Sequence, residues 1–444
     1  MDELSVREGL RRLADDVHPG PPPIEAILAD ADTGTEARPD TGGPRRRPVV
    51  AMVAAAAVVA ALVGVSAVAH DRLAGGPDSA PGQSAGASTG ASTGPDVGPV
   101  TPGSWTRLPS PPLSPRHDAL AVALDGRVLV LGGSDATMMG GPFVPPTLRD
   151  GASLDLATRQ WTPIATAPWA PATAGDHAVD GDEVVLAGQG RRTWLVYDAG
   201  DDRWSTLPRP PAPLLQPTIA VLDHRLYALD RYVEESPAPV QVLDLRDPAA
   251  GWSTLPASTA TPAADERTLV ATDSGLVVMA EDLHPRTAGR HRQPVLAEVW
   301  DGRRWTRSVS RGGAGTAWVW TGRRVVSGYR DLGGTDPYPA TAFDPATGTW
   351  RRLPGARSAG RDAWDTGVVA GAGLVLSEGV LSNDTAGTST IVPAPSPALL
   401  DAAVAVTGEA IVSVGGRRVD ARTAGYPLFA RNIGGAWMLP LDGD

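Results

Sequence analysis

The chain contains no cysteine and no lysine. Without cysteine there is no disulfide, no thiolate nucleophile, no Cys-ligated zinc and no iron–sulfur cluster. Without lysine, Schiff-base chemistry and a lysine general base are excluded, since all 39 basic residues are arginine. Phenylalanine is nearly absent too, three residues against thirteen tryptophans. A GC-rich genome accounts for the cysteine and lysine biases without invoking selection. Positive charge is in deficit: the net charge of −11 offers no basic face for nucleic acid.

Glycine (51) and proline (43) are abundant, which suits many short strands joined by turns. The 444 residues hold a membrane anchor plus one large domain or two ordinary ones. Residues 1–48 read as a polar cytoplasmic tail with one short amphipathic helix. Ser5 and Glu8 have capping-box spacing, and Val6, Leu10, Leu13 and Val17 form one stripe behind it. Arg45, Arg46 and Arg47 then precede the charge-free run 49–69. At about 1.5 Å per residue that run reaches roughly 31 Å, the thickness of a bilayer core. The three arginines orient it with the N-terminus inside and the rest of the chain outside. Ala67-Val68-Ala69 fits a signal-peptidase site, but the region before the apolar run is too long for a cleaved signal, so an uncut signal-anchor is expected. Ala56, Ala60 and Gly64 have small-xxx-small spacing, which would allow weak self-association of the span.

Residues 70–103 are rich in Gly, Ser, Thr and Pro and read as a disordered linker. Gly86 to Gly90 and Gly90 to Gly94 match G-x-S-x-G, but that motif works only on a strained strand-to-helix turn, and here it lies in a low-complexity repeat.

From Ser104 onward one unit recurs. It is clearest as Asp125-Gly126-Arg127-Val128-Leu129-Val130-Leu131-Gly132-Gly133, followed by Trp161. A short Val-rich run between turn residues reads as a strand covered on both faces. Tryptophans recur at 105, 161, 204, 252, 305 and 350, at intervals of 56, 43, 48, 53 and 45 residues. Seven apolar hairpin halves accompany them, five between the tryptophans and two after Trp350, each behind a tight-turn dipeptide. Strands with acidic turns, such as Tyr197-Asp198 and Phe343-Asp344, precede most of the tryptophans. Such a period, with four strands per unit, means small sheets stacked around an axis.

These residues carry a resemblance to the kelch β-propeller family: the Gly-Gly pairs 132–133 and 415–416, the Tyr/Phe-Asp before a turn, and the Trp ending each unit. It covers residues 104–444. Gly-Gly is intact only in the first and last units, and the unit after Trp350 has no closing Trp. The expected fold is an all-β, kelch-like propeller of seven blades, with six as the alternative, preceded by one transmembrane helix and a short helical cytoplasmic tail. The resemblance implies a blade completed from both chain ends. Trp105-Thr106-Arg107-Leu108 would be its outer strand and Trp437-Met438-Leu439 the neighbour.

A propeller does not fix a function. Copper-radical galactose oxidase chemistry, known in the kelch family, needs a Cys cross-linked to a Tyr and is excluded. His117, His177 and His224 recur near the inner hairpins and read as structural. His284 and His291 lie beside Asp282 with no metal-site spacing. Asp198, Asp201 and Asp202 suggest calcium but occupy the ordinary turn before Trp204. No cofactor is expected. What remains is loop asymmetry: the connection after the second strand of each unit is long and rich in recognition residues. Arg231, Tyr232, Glu235, His284, Arg286, Tyr329, Arg330 and Tyr338 are the binding candidates on this long-loop face. The expectation is a single-pass cell-membrane protein whose extracellular propeller binds a protein or cell-wall glycan. The alternative is an extracellular carbohydrate-active enzyme with an acid pair in the axial pocket.

Overall fold

The computed structural model describes residues 100–136, 148–171, 177–188, 193–231, 239–256, 266–281, 295–310, 317–328, 340–353, 368–377, 379–395, 399–419 and 430–443. The tail 1–48, the apolar run 49–69 and most of the linker lie outside the described residues. Among the described residues no helix is long and apolar enough to cross a membrane.

The chain forms a seven-bladed β-propeller. Each of the first six blades is a four-stranded antiparallel sheet, laid down in sequence order from the axis outward. Blade 1 is Leu120–Leu124, Arg127–Leu131, Gly151–Asp155 and Trp161–Pro163. Blade 2 is His177–Asp180, Glu183–Leu186, Trp194–Asp198 and Arg203–Leu207. Blade 3 is Pro217–Leu222, Arg225–Asp230, Gln241–Asp244 and Ser253–Thr254. Blade 4 is Glu266–Thr272, Gly275–Glu281, Leu296–Trp300 and Trp305–Val309. Blade 5 is Trp318–Trp320, Val325–Ser327, Thr341–Asp344 and Thr349–Arg352. Blade 6 is Val368–Gly371, Leu374–Ser377, Val380–Asn383 and Thr388–Ile391.

Blade 7 takes strands from both chain ends. Ala403–Val406 and Ala410–Val414 pair with each other, and the latter pairs with Ala436–Gly443. Thr106–Arg107 then pairs with Trp437 and Met438, as the resemblance implied. Val100–Pro102, at the end of the segment read as linker, is already strand and pairs with residues 441–443. Seven blades replace the six-blade alternative.

Alternation of side chains along each strand sends successive residues to opposite neighbours. In the inner strand of blade 1, Leu120, Val122 and Leu124 pack on blade 2, whereas Ala121 packs on blade 7. The same division gives an apolar core between every adjacent pair of blades, including 7 and 1. Both faces of every sheet are therefore covered, which explains runs such as Val128 to Leu131 that show no polar face.

The repeated tryptophan is a latch between blades. Trp161 Nε1 donates to Pro109 O at 3.0 Å, Trp204 to Ala165 O at 2.8 Å, Trp252 to Pro208 O at 2.9 Å and Trp305 to Pro256 O at 2.9 Å. Each acceptor lies four residues beyond the previous unit's tryptophan. Trp350 uses Ser308 Oγ instead, and Trp105 closes the ring by donating to Pro393 O at 2.7 Å. Three latch rings also pack against an aromatic of their own blade, Tyr197–Trp204, Trp300–Trp305 and Phe343–Trp350, with centroids 4.8, 5.3 and 4.7 Å apart.

Blade 6 has no such tryptophan. Ser382 and Ser389 stand opposite each other, where blade 5 has Phe343 and Trp350. A buried carboxylate substitutes for the latch. Asp384, wholly buried, accepts from Arg324 Nη1 at 3.2 Å, from Thr321 Oγ1 at 3.1 Å and from Arg351, all on blade 5.

Candidate functional site

Strand direction alternates within each blade, so the propeller has two chemically different ends. One carries the hairpin turns between first and second strands and the acidic turns between third and fourth. The other, the loop end, carries the long connections after the second strand and the links between blades.

At the turn end the acidic turns are structural. Asp198 Oδ1 accepts from Gly200 N and Asp201 N at 2.9 and 3.0 Å. Asp301 and Asp344 hold their turns in the same way. The backbone donors depress the carboxyl pKa of Asp155 and Asp301. An axial cavity of about 2340 Å³ is lined by all seven inner strands and by the hairpin turns. Its rim includes Asp125, Asp182, Asp223, Asp273 and Glu409. His224 Nδ1 lies 2.8 Å from Asp180 Oδ2, and burial followed by the Asp180 and Asp198 charges raises the Glu183 pKa.

Buried charge gathers at the loop end, where blades 3, 4 and 5 meet. Arg231 closes the second strand of blade 3. It is buried, and its Nη1 lies 3.6 Å from Glu266 Oε1. The Arg231 carbonyl accepts from Arg267 N at 2.9 Å. Glu266 and Arg267 begin the inner strand of blade 4, all of whose seven residues are buried. Alternation turns Glu266 toward blade 5 with Val270, and Arg267 toward blade 3 with Leu269 and Ala271. Arg267 Nη2 donates to Asp230 O at 2.7 Å. Burial, partly offset by the Asp230 charge, lowers its pKa to about 10.

Glu281, at the end of the second strand of blade 4, stands directly opposite Glu266. Directly opposed residues share a sheet face with Cα atoms about 4.5–5.5 Å apart. Two carboxylates thus sit side by side at the loop end, both buried. Glu281 Oε1 accepts from the indole nitrogen of Trp318, the first residue of the inner strand of blade 5.

The seam between blades 7 and 1 reaches the same end. Arg116, 2% exposed, forms a bidentate pair with Asp150 at 2.9 and 2.8 Å and donates to Gly132 O at 2.9 Å. Its carbonyl accepts from Gly416 N at 2.8 Å. His117 Nδ1 lies 3.0 Å from Asn432 Oδ1, and burial, reinforced by Arg417, lowers the His117 pKa.

This seam explains why Gly-Gly survives only in the first and last units. A Cβ on Gly133 would lie 2.8 Å from His117 O, on Gly415 2.6 Å from Arg116 O, and on Gly416 2.9 Å from Leu400 O. The chain entering blade 1 runs against Gly133 and Gly415, and the lead into blade 7 against Gly416, and only glycine admits either approach.

Of the sequence-derived candidates, Arg231 falls in this cluster. Tyr232, Glu235, His284, Arg286, Tyr329, Arg330 and Tyr338 lie outside the described residues. Glu266, Arg267 and Glu281 were missed. Their signal was a charge at each edge of an otherwise apolar hairpin, legible in Glu266-Arg267 and Ala280-Glu281. Asn383 of the sequon Asn383-Asp384-Thr385 is buried, and its side chain accepts from Ala386 N at 2.9 Å.

No protein-family model matches the chain, and no curated protein is similar to it. The class that the geometry defines is the seven-bladed β-propeller.

Proposed function

We propose that the chain is a kelch-type propeller displayed outside the cell by a signal-anchor at 49–69, with the tail 1–48 in the cytoplasm. In this reading it binds a protein or a cell-wall glycan through its loop end. The observation that supports it is the grouping of Arg231, Glu266, Arg267 and Glu281 at the loop-end termini of strands in blades 3 and 4. Burying charge is costly in free energy. At the turn end buried charge forms one latch, Asp384 with Arg324 and Arg351, whereas the loop end groups four charged side chains with two carboxylates directly opposed, which fits a polar recognition surface better than a packing role.

Cross-linking on intact cells with tagged full-length protein, followed by mass spectrometry, tests the reading. One extracellular partner is expected, lost in the Arg231→Ala, Arg330→Ala variant, with a melting curve confirming that the variant folds. Cross-links confined to residues 1–48 would overturn it.

The Glu266–Glu281 pair supports a second reading, an extracellular carbohydrate-active enzyme. Two adjacent carboxyl groups are the minimum for acid–base glycoside hydrolysis. Release of reducing sugar from wall polysaccharide, abolished in Glu281→Gln and in Glu266→Gln, would establish it. Binding without turnover in the wild type would remove it.

A further inference from the structure

The connection after the second strand of blade 7 contains a two-stranded ribbon, Arg417–Val419 paired with Ala430–Asn432. Its two faces differ. On the inner face Arg417 is paired with Asp401, its Nε 2.6 Å from Asp401 Oδ2, and Asn432 is bonded to His117. The ribbon is thereby fixed to the seam between blades 7 and 1. On the outer face Arg418 stands directly opposite Arg431, and both are exposed. Among the described residues neither guanidinium has an ion-pair partner.

Like charges directly opposite on a ribbon oppose its pairing. Here they occur in a chain of net charge −11, where acidic neighbours are plentiful. Two directly opposed arginines on one ribbon face can together bind one oxyanion, each guanidinium able to donate two N–H groups. Resting on the proposed function above, we infer that Arg418 and Arg431 form an anion clip, and that the ligand of the loop end is a glycan bearing spaced carboxylates, a uronate. A phosphate presents the same acceptor oxygens, and the polyphosphate probe below separates the two.

The test uses the full chain and three probes: an oligo-uronate, its carboxyl-reduced neutral counterpart and a polyphosphate of similar length. The wild type should bind the oligo-uronate, more weakly as salt rises. The Arg418→Gln, Arg431→Gln double variant should lose about tenfold or more in affinity. Arg307→Gln, an exposed arginine of the blade 4 outer strand, should change nothing. Both clip residues are exposed, so the double variant should melt no lower than the wild type. A lower melting temperature would mark the pair as structural and overturn the clip. Equal binding of the neutral probe would overturn the inference and leave the proposed function standing. Arginine-dependent binding of polyphosphate alone would reassign the ligand class, and failure of all three probes would likewise overturn the clip. The proposed function itself falls only if the cross-linking on cells finds nothing at the loop end.

Discussion

Ending the chain at Gly435 should unfold the whole propeller, not fray one blade. The lost strand, Ala436–Gly443, is bonded to Ala410–Val414 on one side and to both N-terminal strands on the other. Its side chains divide between two interfaces. Trp437, Leu439 and Leu441 enter the core between blades 6 and 7, and Ala436 and Met438 enter the core between blades 7 and 1. At about 1.5–3 kcal/mol per buried large side chain, the four large residues are worth roughly 6–12 kcal/mol. That equals the whole stability of an ordinary domain, about 5–15 kcal/mol. The remaining inner hairpin of blade 7 would also lose its outer neighbour and expose a strand edge.

Removing residues 1–108 instead should be survivable. Thr106 and Arg107 are exposed, and the loss is the buried Leu108, the Trp105 latch and short strand pairing. That amounts to about 2–5 kcal/mol. Denaturant unfolding followed by tryptophan fluorescence, with near-UV circular dichroism and gel filtration, separates the two cases. The shorter C-terminal truncation should show no cooperative transition, and the longer N-terminal one a transition at lower denaturant. A C-terminal truncation that melted cooperatively near the wild-type midpoint would refute the claim that this strand closes the ring.

Asp384→Ala should destabilise by about 3 kcal/mol, the low end for breaking a buried ion pair, because Arg351 is partly exposed; denaturant titration measures it, and a change below about 1 kcal/mol would deny Asp384 its role in place of the missing latch. Gly416→Ala should cost about 1–3 kcal/mol, since a positive φ of 99° and the Leu400 carbonyl both resist a Cβ; an unchanged melting temperature would show that the seam gives way there. His117 is held neutral by burial, so its folded pKa lies below the unfolded 6.5. The unfolded chain then takes up the proton first, and stability should fall as pH drops through 6.5 toward the folded value. His117→Asn should flatten that limb of the pH–stability profile, and an unchanged limb would assign it to other groups.

The architecture was legible because its cause is repeated. A strand covered on both faces and a tight turn recur in each unit, with a tryptophan latch in all but blade 6, and each leaves a mark at near-regular spacing. Ring closure was expected from the family resemblance, and the two orphan strands at opposite ends of the chain, the first with its tryptophan and the last with its apolar run, pair accordingly. Blade 6 could not be read in advance. Its latch position holds Ser389, and the compensating Asp384 draws its arginines from blade 5, a relation between residues 33 and 60 positions apart. The loop-end charges were hidden for the same reason: Arg231 reaches Glu266, and Trp318 reaches Glu281, only after three blades have stacked.

The feature easiest to find in the sequence therefore says least about function. The tryptophan period encodes how neighbouring blades are held, and any ligand would be compatible with it. Departures from the period carry more. Where the seam crosses, the position after the second strand must be glycine, as at Gly133, Gly415 and Gly416. Away from the seam that steric demand is lifted, and blades 3 and 4 place Arg231 and Glu281 at the ends of the corresponding strands. Once freed of a backbone constraint, these positions could have held any small or apolar residue that packs. That they hold buried charge is the reason to look for the ligand at this end of the axis.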